Sequence, residues 1–251
     1  MKTYIYDRLH AGPVHPEVVV QGSTPVLAFG PFRTARTATL GINPSCAEFI
    51  DATKTLYPET RRRLATLPWL GVETLAGASD EALQAVVDQS DTYFRRQPYM
   101  KWFGKFREVL ASLDADYLNG SACHLDLVQW ATLPIWRGLT GQVQRDLVDA
   151  DASFLTRQIS EEMIEVVLVN GSTAMAELRR SQRRPIIVEH VETITSCSYQ
   201  PCKVYAGRIN ERVQLFGWST NLQSSLGVKP ELATRLAKLI RGRYAAATGA
   251  G

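Results

Sequence analysis

Leu40-Gly41-Ile42-Asn43-Pro44-Ser45-Cys46 is the stretch that decides the fold of this chain. The residues before it, Thr37-Ala38-Thr39-Leu40, read as a short buried strand, and Gly41 and Pro44 break that strand. Asn43 is thereby expected just past the end of a parallel strand, where open α/β sheets keep their ligands. Pro44 fixes the turn and removes a backbone donor. The Asn43 carboxamide both donates and accepts, which suits a water or the polar edge of a ring. Such a turn is often purely structural, so its meaning depends on what the other strand ends bring to it.

Three further strand ends carry polar residues. Ser121 to Val128 predicts a second strand, with Asp126 near its carboxyl end between apolar neighbours. A carboxylate buried there is costly without a partner, so Asp126 is a helix cap, an arginine's ion-pair partner or a ligand contact. Trp130 and Trp136 flank Pro134 in the loop beyond, which has the composition of a pocket wall. Val166 to Val169 is a third, apolar strand running into Asn170-Gly171-Ser172-Thr173. Gly171 and Ser172 then open a helix whose free N–H groups suit a phosphate, although serine caps helices everywhere. Last, Arg212 to Phe216 feeds Gly217-Trp218-Ser219-Thr220-Asn221-Leu222-Gln223-Ser224-Ser225, a polar loop with one apolar residue in its middle.

The remaining sequence sets the frame. A chain of 251 residues with 45% hydrophobic content buries a sizeable core and is expected to form one α/β domain over 1–251. Residues 1–36 read as a lead-in hairpin or edge strand ending in Val26-Leu27-Ala28-Phe29. Residues 79–113 read as two helices, the first capped by Ser79, the second amphipathic from Met100 to Leu113. Tyr93, Phe94, Tyr99, Trp102 and Phe103 cluster here, as core or as the lining of a base pocket. Residues 59–64 read as a basic helical stretch, 150–163 as a helix, 186–213 as an inserted hairpin and 245–251 as a frayed tail after a final helix opening at Pro230.

Charge and cysteine usage narrow the classes. No apolar run approaches the roughly 20 residues of a membrane span, and Met1 to His10 carries no apolar signal segment, so a soluble cytoplasmic protein is expected; a monomer is expected as well. Cysteines 46, 123, 197 and 202 show no CxxC pair and no regular metal spacing, so free thiols and no metal site are expected. A net charge of +3 permits a nucleic-acid partner. Arg179-Arg180-Ser181-Gln182-Arg183-Arg184 is the densest basic run, as a solvated helix end or a DNA contact.

Taken in order, Gly-Ile-Asn-Pro-Ser, Leu-Asp-Leu-Val, Asn-Gly-Ser-Thr-Ala and Trp-Ser-Thr-Asn-Leu-Gln resemble the signatures of the uracil-DNA glycosylase superfamily. The first looks most like the Gly-Ile-Asn-Pro-Gly turn of the mismatch-specific uracil and thymine glycosylases. The similarity spans about Thr37 to Leu239, with a longer helical segment before Asp126 and an extra hairpin before Trp218. It implies a three-layer α/β/α sandwich around a mostly parallel four- or five-stranded sheet. It also implies a monofunctional glycosylase that flips a base out of duplex DNA and needs no cofactor. By the same resemblance Asn43 positions the attacking water, and Ile42, Ser45, Asp126, Trp130 and Trp218 surround the base. Gly171 and Ser172 grip a phosphate, and Ser219, Thr220, Asn221, Leu222 and Gln223 form the loop entering the duplex, with Leu222 as its wedge.

Three departures from the family pattern bear on specificity. Asn43 stands where the most active members carry a carboxylate, so Asp51 or Glu48 on the following loop is the candidate general base. Trp218 stands where relatives have His or Asn, and Asp126 where uracil-specific members have Asn. A carboxylate only accepts, which suits the exocyclic amine of cytosine and repels the uracil carbonyl. Ser45 matches the position of a bulky Tyr that excludes five-position substituents in strict uracil enzymes. The expected substrate is a five-substituted cytosine of the kind phages place in their DNA, and the expected role is antiviral defence. The competing readings are a uracil or thymine mismatch repair glycosylase and a catalytically silent nucleic-acid-binding module. A third is a nucleotide-processing α/β hydrolase without a DNA role, favoured if the Arg179 to Arg184 run lies on the face opposite Asn43.

Overall fold

A computed structural model describes residues 1–182, 185–195, 197–198, 200–223 and 228–249. In chain order its helices and strands begin with α1 (Thr3–His10), β1 (Thr37–Gly41), α2 (Leu67–Leu70), α3 (Asp80–Asp91), α4 (Met100–Phe103), α5 (Arg107–Ala111) and β2 (Ala122–Asp126). They continue with α6 (Gly141–Glu161), β3 (Val166–Asn170), α7 (Ser172–Ser181), β4 (Ile187–Ile194), β5 (Cys202–Arg208), β6 (Gln214–Trp218) and α8 (Glu231–Thr248).

The strands form one mostly parallel α/β sheet in the order β2-β1-β3-β6-β5-β4. β1 pairs in parallel with β2 and β3, and β6 pairs in parallel with β3. All four parallel strands are buried at every residue, because helices cover both faces. Side chains alternate between the faces. Ala38, Leu40, Cys123, Leu125, Val167 and Val169 pack with α1, α3, α6 and α7. Ala122, Val166, Leu168, Phe216 and Trp218 pack with α4, α5 and α8.

The sheet has six strands where four or five are expected, because the 186–213 hairpin joins it. β5 pairs antiparallel with β6, and β4 with β5. The lead-in also differs from its reading. Residues 3–10 are helical, since Tyr4, Ile5, Arg8 and Leu9 recur at helical spacing and bury one side of α1. Phe29 pairs with the edge strand through an antiparallel bridge to His124 on β2, while Val19 and Ser23 form isolated antiparallel bridges to Thr132 and Thr66. The expected helix from Met100 to Leu113 is broken into α4, a 3-10 turn over Gly104–Phe106 and α5, glycine being a poor helix former. The basic stretch near residue 60 is a 3-10 turn, Glu59–Arg61. The tail is ordered further than expected: α8 runs through Ala245-Ala246-Ala247 to Thr248, as alanine favours.

Candidate active site at the parallel strand ends

The four parallel strands stop in line. Gly41 is opposite Asp126, Leu40 is opposite Val169, and Asn170 is opposite Trp218. Everything the sequence marks out after these strands therefore opens from one end of the sheet. At its centre Gly41 has a packing duty: a Cβ there would lie 2.6 Å from Asp126 Oδ1 and 3.0 Å from His124 Nε2. Only a bare backbone lets these two side chains fold across the end of β1.

Asp126 and His124 share a face of β2 and are both buried. His124 Nδ1 is 2.7 Å from Thr39 Oγ1, which is 2.6 Å from the Tyr117 hydroxyl. Its Nε2 is 3.4 Å from Asp126 Oδ1, a stretched contact, and neither atom has another hydrogen-bond partner among the described residues. Phe29, Trp102, Phe103 and Phe106 surround the imidazole. Trp102 and Phe103 of the aromatic cluster thus pack on the histidine, and Tyr93, Phe94 and Phe103 are buried in the core.

Glu48 is the second enclosed carboxyl, 3% exposed on the 3-10 turn Cys46–Glu48 that follows the Asn43-Pro44-Ser45 turn. Tyr93 donates its hydroxyl to Oε2 at 2.8 Å, and the Arg63 guanidinium is 3.7 Å away. Burial pushes the Glu48 carboxyl up to about 7; the Tyr93 and Arg63 contacts pull the other way and the Asp126 charge adds to the rise. Desolvation outweighs the ion pair because Arg63 is not in close contact. Asp51, in contrast, is spent on its own loop. Its Oδ1 accepts from Thr53 N at 2.9 Å, Thr53 Oγ1 at 2.6 Å and Thr55 N at 3.2 Å, and these bonds hold its carboxyl below the usual range.

The Asn43 carboxamide nitrogen donates to the Trp130 carbonyl at 3.3 Å and to Thr132 Oγ1 at 3.1 Å. This fixes the side chain and leaves Oδ1 without a partner among the described residues. Trp130 contributes that carbonyl, while its ring is buried under the Arg8 guanidinium, 5.3 Å from the centroid. Ile42 is half-buried against the core, and Ser45 is exposed, its hydroxyl accepting from Ala47 N.

Asn170 is a hub that sequence reasoning passes over. Its Oδ1 accepts from Trp218 Nε1 at 2.9 Å and Leu222 N at 3.0 Å, and its Nδ2 donates to Asn221 Oδ1 and Gln223 Oε1. Trp218 is consequently a core residue with its only ring donor occupied, and Leu222 is 3% exposed, packed inward. In this conformation Leu222 does not project as a wedge. Gly171 has a positive φ of 96°, and its N–H binds the Trp218 carbonyl while that of Ser172 binds Ser219 O. The first two amides of the turn are therefore engaged, and Ser172 offers an exposed hydroxyl. Ser219 is stitched to Lys203 by two bonds of 2.9 Å. Thr220 is half-buried and Asn221 exposed, whereas Ser224 and Ser225 fall outside the described residues.

The basic run that closes α7 points elsewhere. α7 leaves the carboxyl ends at Ser172, and its far end at Ser181 and Gln182 lines a cleft of about 690 Å³ with Ile209 and Asn210, which precede β6. Arg179 and Arg180 are therefore at the opposite end of the sheet from Asn43. Arg180 is also paired with Asp149 and Glu177, and Arg183 and Arg184 fall outside the described residues.

Among the described residues no three His, Cys, Asp or Glu side chains are disposed to hold a metal ion, and no helix is long and apolar enough to cross a membrane. Glu48 and Tyr93, both already marked in the sequence, are joined as functional candidates by His124 and Asn170. The alternation along β2 marks His124 as sharing a face with Asp126, whereas the pairing of Glu48 with Tyr93 spans 45 residues and has no local signal. Compared with protein-family models and with curated proteins, the chain matches none.

Proposed function

We propose that this chain is a monofunctional DNA glycosylase of the uracil-DNA glycosylase type, acting on a five-substituted cytosine, with Glu48 as general base. One observation carries the reading. A buried carboxyl held near neutral pH lies in the field of a second buried carboxylate at the carboxyl ends of four parallel strands. Groups poised this way suit proton transfer at physiological pH.

The division of labour follows from the chemistry of each group. The Asn43 carbonyl oxygen, fixed by its two donated bonds, orients a water. Glu48 takes the proton of that water as its oxygen bonds to C1′. The C1′–N bond breaks with its electron pair going to the base, which solvent protonates. Asp126 accepts from an exocyclic amine, for which a cytosine is suited and a uracil is not. With Glu48 3% and Asp126 5% exposed, a base reaches them only when the loops at the strand ends part. Closure around a substrate then excludes water.

The test is incubation with duplexes carrying 5-hydroxymethylcytosine, its glucosylated form, uracil or a thymine mismatch, followed by mass analysis of released bases. Release of the modified cytosine, lost in Asp126→Asn and in Glu48→Gln, is expected. Release of uracil alone refutes the cytosine specificity and leaves a repair glycosylase. A second reading, a nucleotide-processing hydrolase without a DNA role, is favoured by the position of Arg179 and Arg180 away from Asn43. Cleavage of free nucleosides or nucleotides in place of DNA in the same assay selects it.

A further inference from the structure

With Arg179 and Arg180 at the far end of the sheet, any polynucleotide at the site needs cations elsewhere, and the sequence concentrates them beside Glu48. Residues 54–63 and 95–105 together hold eight Lys and Arg against the single carboxylate of Glu59, leaving the rest of the chain net acidic. Lys54, Arg61, Arg95, Lys101 and Lys105 are all exposed. Among the described residues none of these five is in ion-pair contact with a carboxylate, unlike Arg63, which approaches Glu48.

The two segments are tied to each other and to the site. Gln97 Nε2 donates to Thr60 O at 3.1 Å, and Arg96 Nη2 donates to Arg63 O at 2.7 Å. Arg63 Nη1 in turn donates to Ala47 O at 2.9 Å, on the turn that carries Glu48. Rings are interleaved with the cations. Tyr57 lies under Arg61 at 5.0 Å and Arg63 at 5.6 Å, Tyr99 lies 5.2 Å from Arg63, and Trp69 stacks on Arg62 at 3.7 Å.

We infer that these two segments form the surface that grips the DNA strand leading into the site, with DNA as occupant resting on the glycosylase reading. The exposed cations neutralise phosphates, as counterion release favours. The partly exposed rings, held at fixed spacing by their guanidinium partners, give bases a face on which to stack. Arg63 belongs to both parts, since it joins the grip to the turn of Glu48.

The grip is tested by binding alone, using fluorescence anisotropy with unmodified single-stranded and duplex DNA over a range of salt. Affinity is expected to fall steeply with salt, with a slope of about −0.7 per phosphate neutralised on single strands. The triple change Arg61→Gln, Arg95→Gln, Lys101→Gln lies on exposed side chains, and thermal melting checks that it leaves the fold intact. It is expected to weaken binding by about tenfold or more and to flatten the salt slope by roughly two units, while Arg179→Gln with Arg180→Gln changes neither. Unchanged affinity in the triple variant, a loss confined to the Arg179 and Arg180 variant, or no DNA binding by the wild type overturns the grip. A protein that releases no base but loses DNA in the triple variant retains the grip and refutes the glycosylase. An active glycosylase whose triple variant binds normally does the reverse.

Discussion

His124 Nε2 lies 3.4 Å from Asp126 Oδ1, and neither atom has any other partner among the described residues. That relationship assigns the protons of the whole buried chain. Among the described residues Tyr117 has only Thr39 to donate to, Thr39 then donates to His124 Nδ1, and His124 faces Asp126 with Nε2–H. Reversing the direction sets two acceptors against each other and leaves the carboxylate with no donor. Nitrogen-15 NMR at neutral pH is expected to find the Nε2–H tautomer at His124. Tyr117→Phe keeps the stack on Phe94, costs about 1 kcal/mol for one buried hydrogen bond and loosens the tautomer preference. An Nδ1–H ring in the wild type contradicts the assignment.

Glu48 links stability to pH in the direction opposite to a salt-bridged carboxylate. Its folded value is raised from 4.5 to about 7, so between those limits the native state holds a proton that the unfolded chain has released. Stability is therefore greatest below the unfolded value and declines as pH rises through about 7. The integrated loss is on the order of 3 kcal/mol. Denaturant midpoints across this range are expected to show a decline that Glu48→Gln removes. Base release moves the other way, rising as Glu48 ionises and levelling above about 7. A pH-independent rate below neutrality is incompatible with Glu48 as base.

Two glycines separate close packing from helix propensity. Gly41→Ala drives a Cβ to 2.6 Å from Asp126 Oδ1 and is expected to cost about 1–3 kcal/mol through displacement of the β2 end. Gly242→Ala, in α8 with nothing within 4 Å of its Cβ, is expected to stabilise by roughly 0.5–1 kcal/mol. Equal effects in urea melts argue against the crowding at Gly41.

Asn170→Ala strands the Trp218 indole N–H and the Leu222 amide without acceptors. A loss of about 2–6 kcal/mol is expected, from roughly 1–3 for each of the two buried groups left unpaired. Hydrogen exchange should quicken at residues 221–223 while β3 and β6 stay protected. Leu222→Ala costs about 2–4 kcal/mol for the cavity alone, so any wedge function must be read from the ratio of rates on duplex and single-stranded substrate. Unaltered exchange in Asn170→Ala removes the residue's role as the loop's anchor.

The strands were legible because buried parallel strands are short apolar runs with sharp ends. Gly41, Asp126, Asn170 and Trp218 mark those ends in sequence and in space. α1 was not, since its four core residues are spread among polar ones over only eight positions. The break at Gly104 was overlooked because apolar spacing persists through it. At the site, Asn43 and Asp126 stand out by position. Glu48 is distinguished from Asp51 only by tertiary burial, and both have similar neighbours in sequence. Trp218 and Leu222 read as site residues from their motif, yet the fold encloses both, with Asn170 supplying the acceptor that makes this tolerable.

The hairpin of β4 and β5 changes what kind of motion the neighbouring loop can make. With β3 on one side and β5 on the other, β6 cannot peel from a free margin, and the two bonds between Ser219 and Lys203 extend that restraint one residue beyond the strand. Past Ser219 the segment through Gln223 is held by the carboxamide of Asn170 and by the Leu222 side chain buried in the core. Swinging it outward about a pivot at Ser219 means releasing the Asn170 carboxamide and drawing Leu222 out of the core, while the sheet behind it stays zipped.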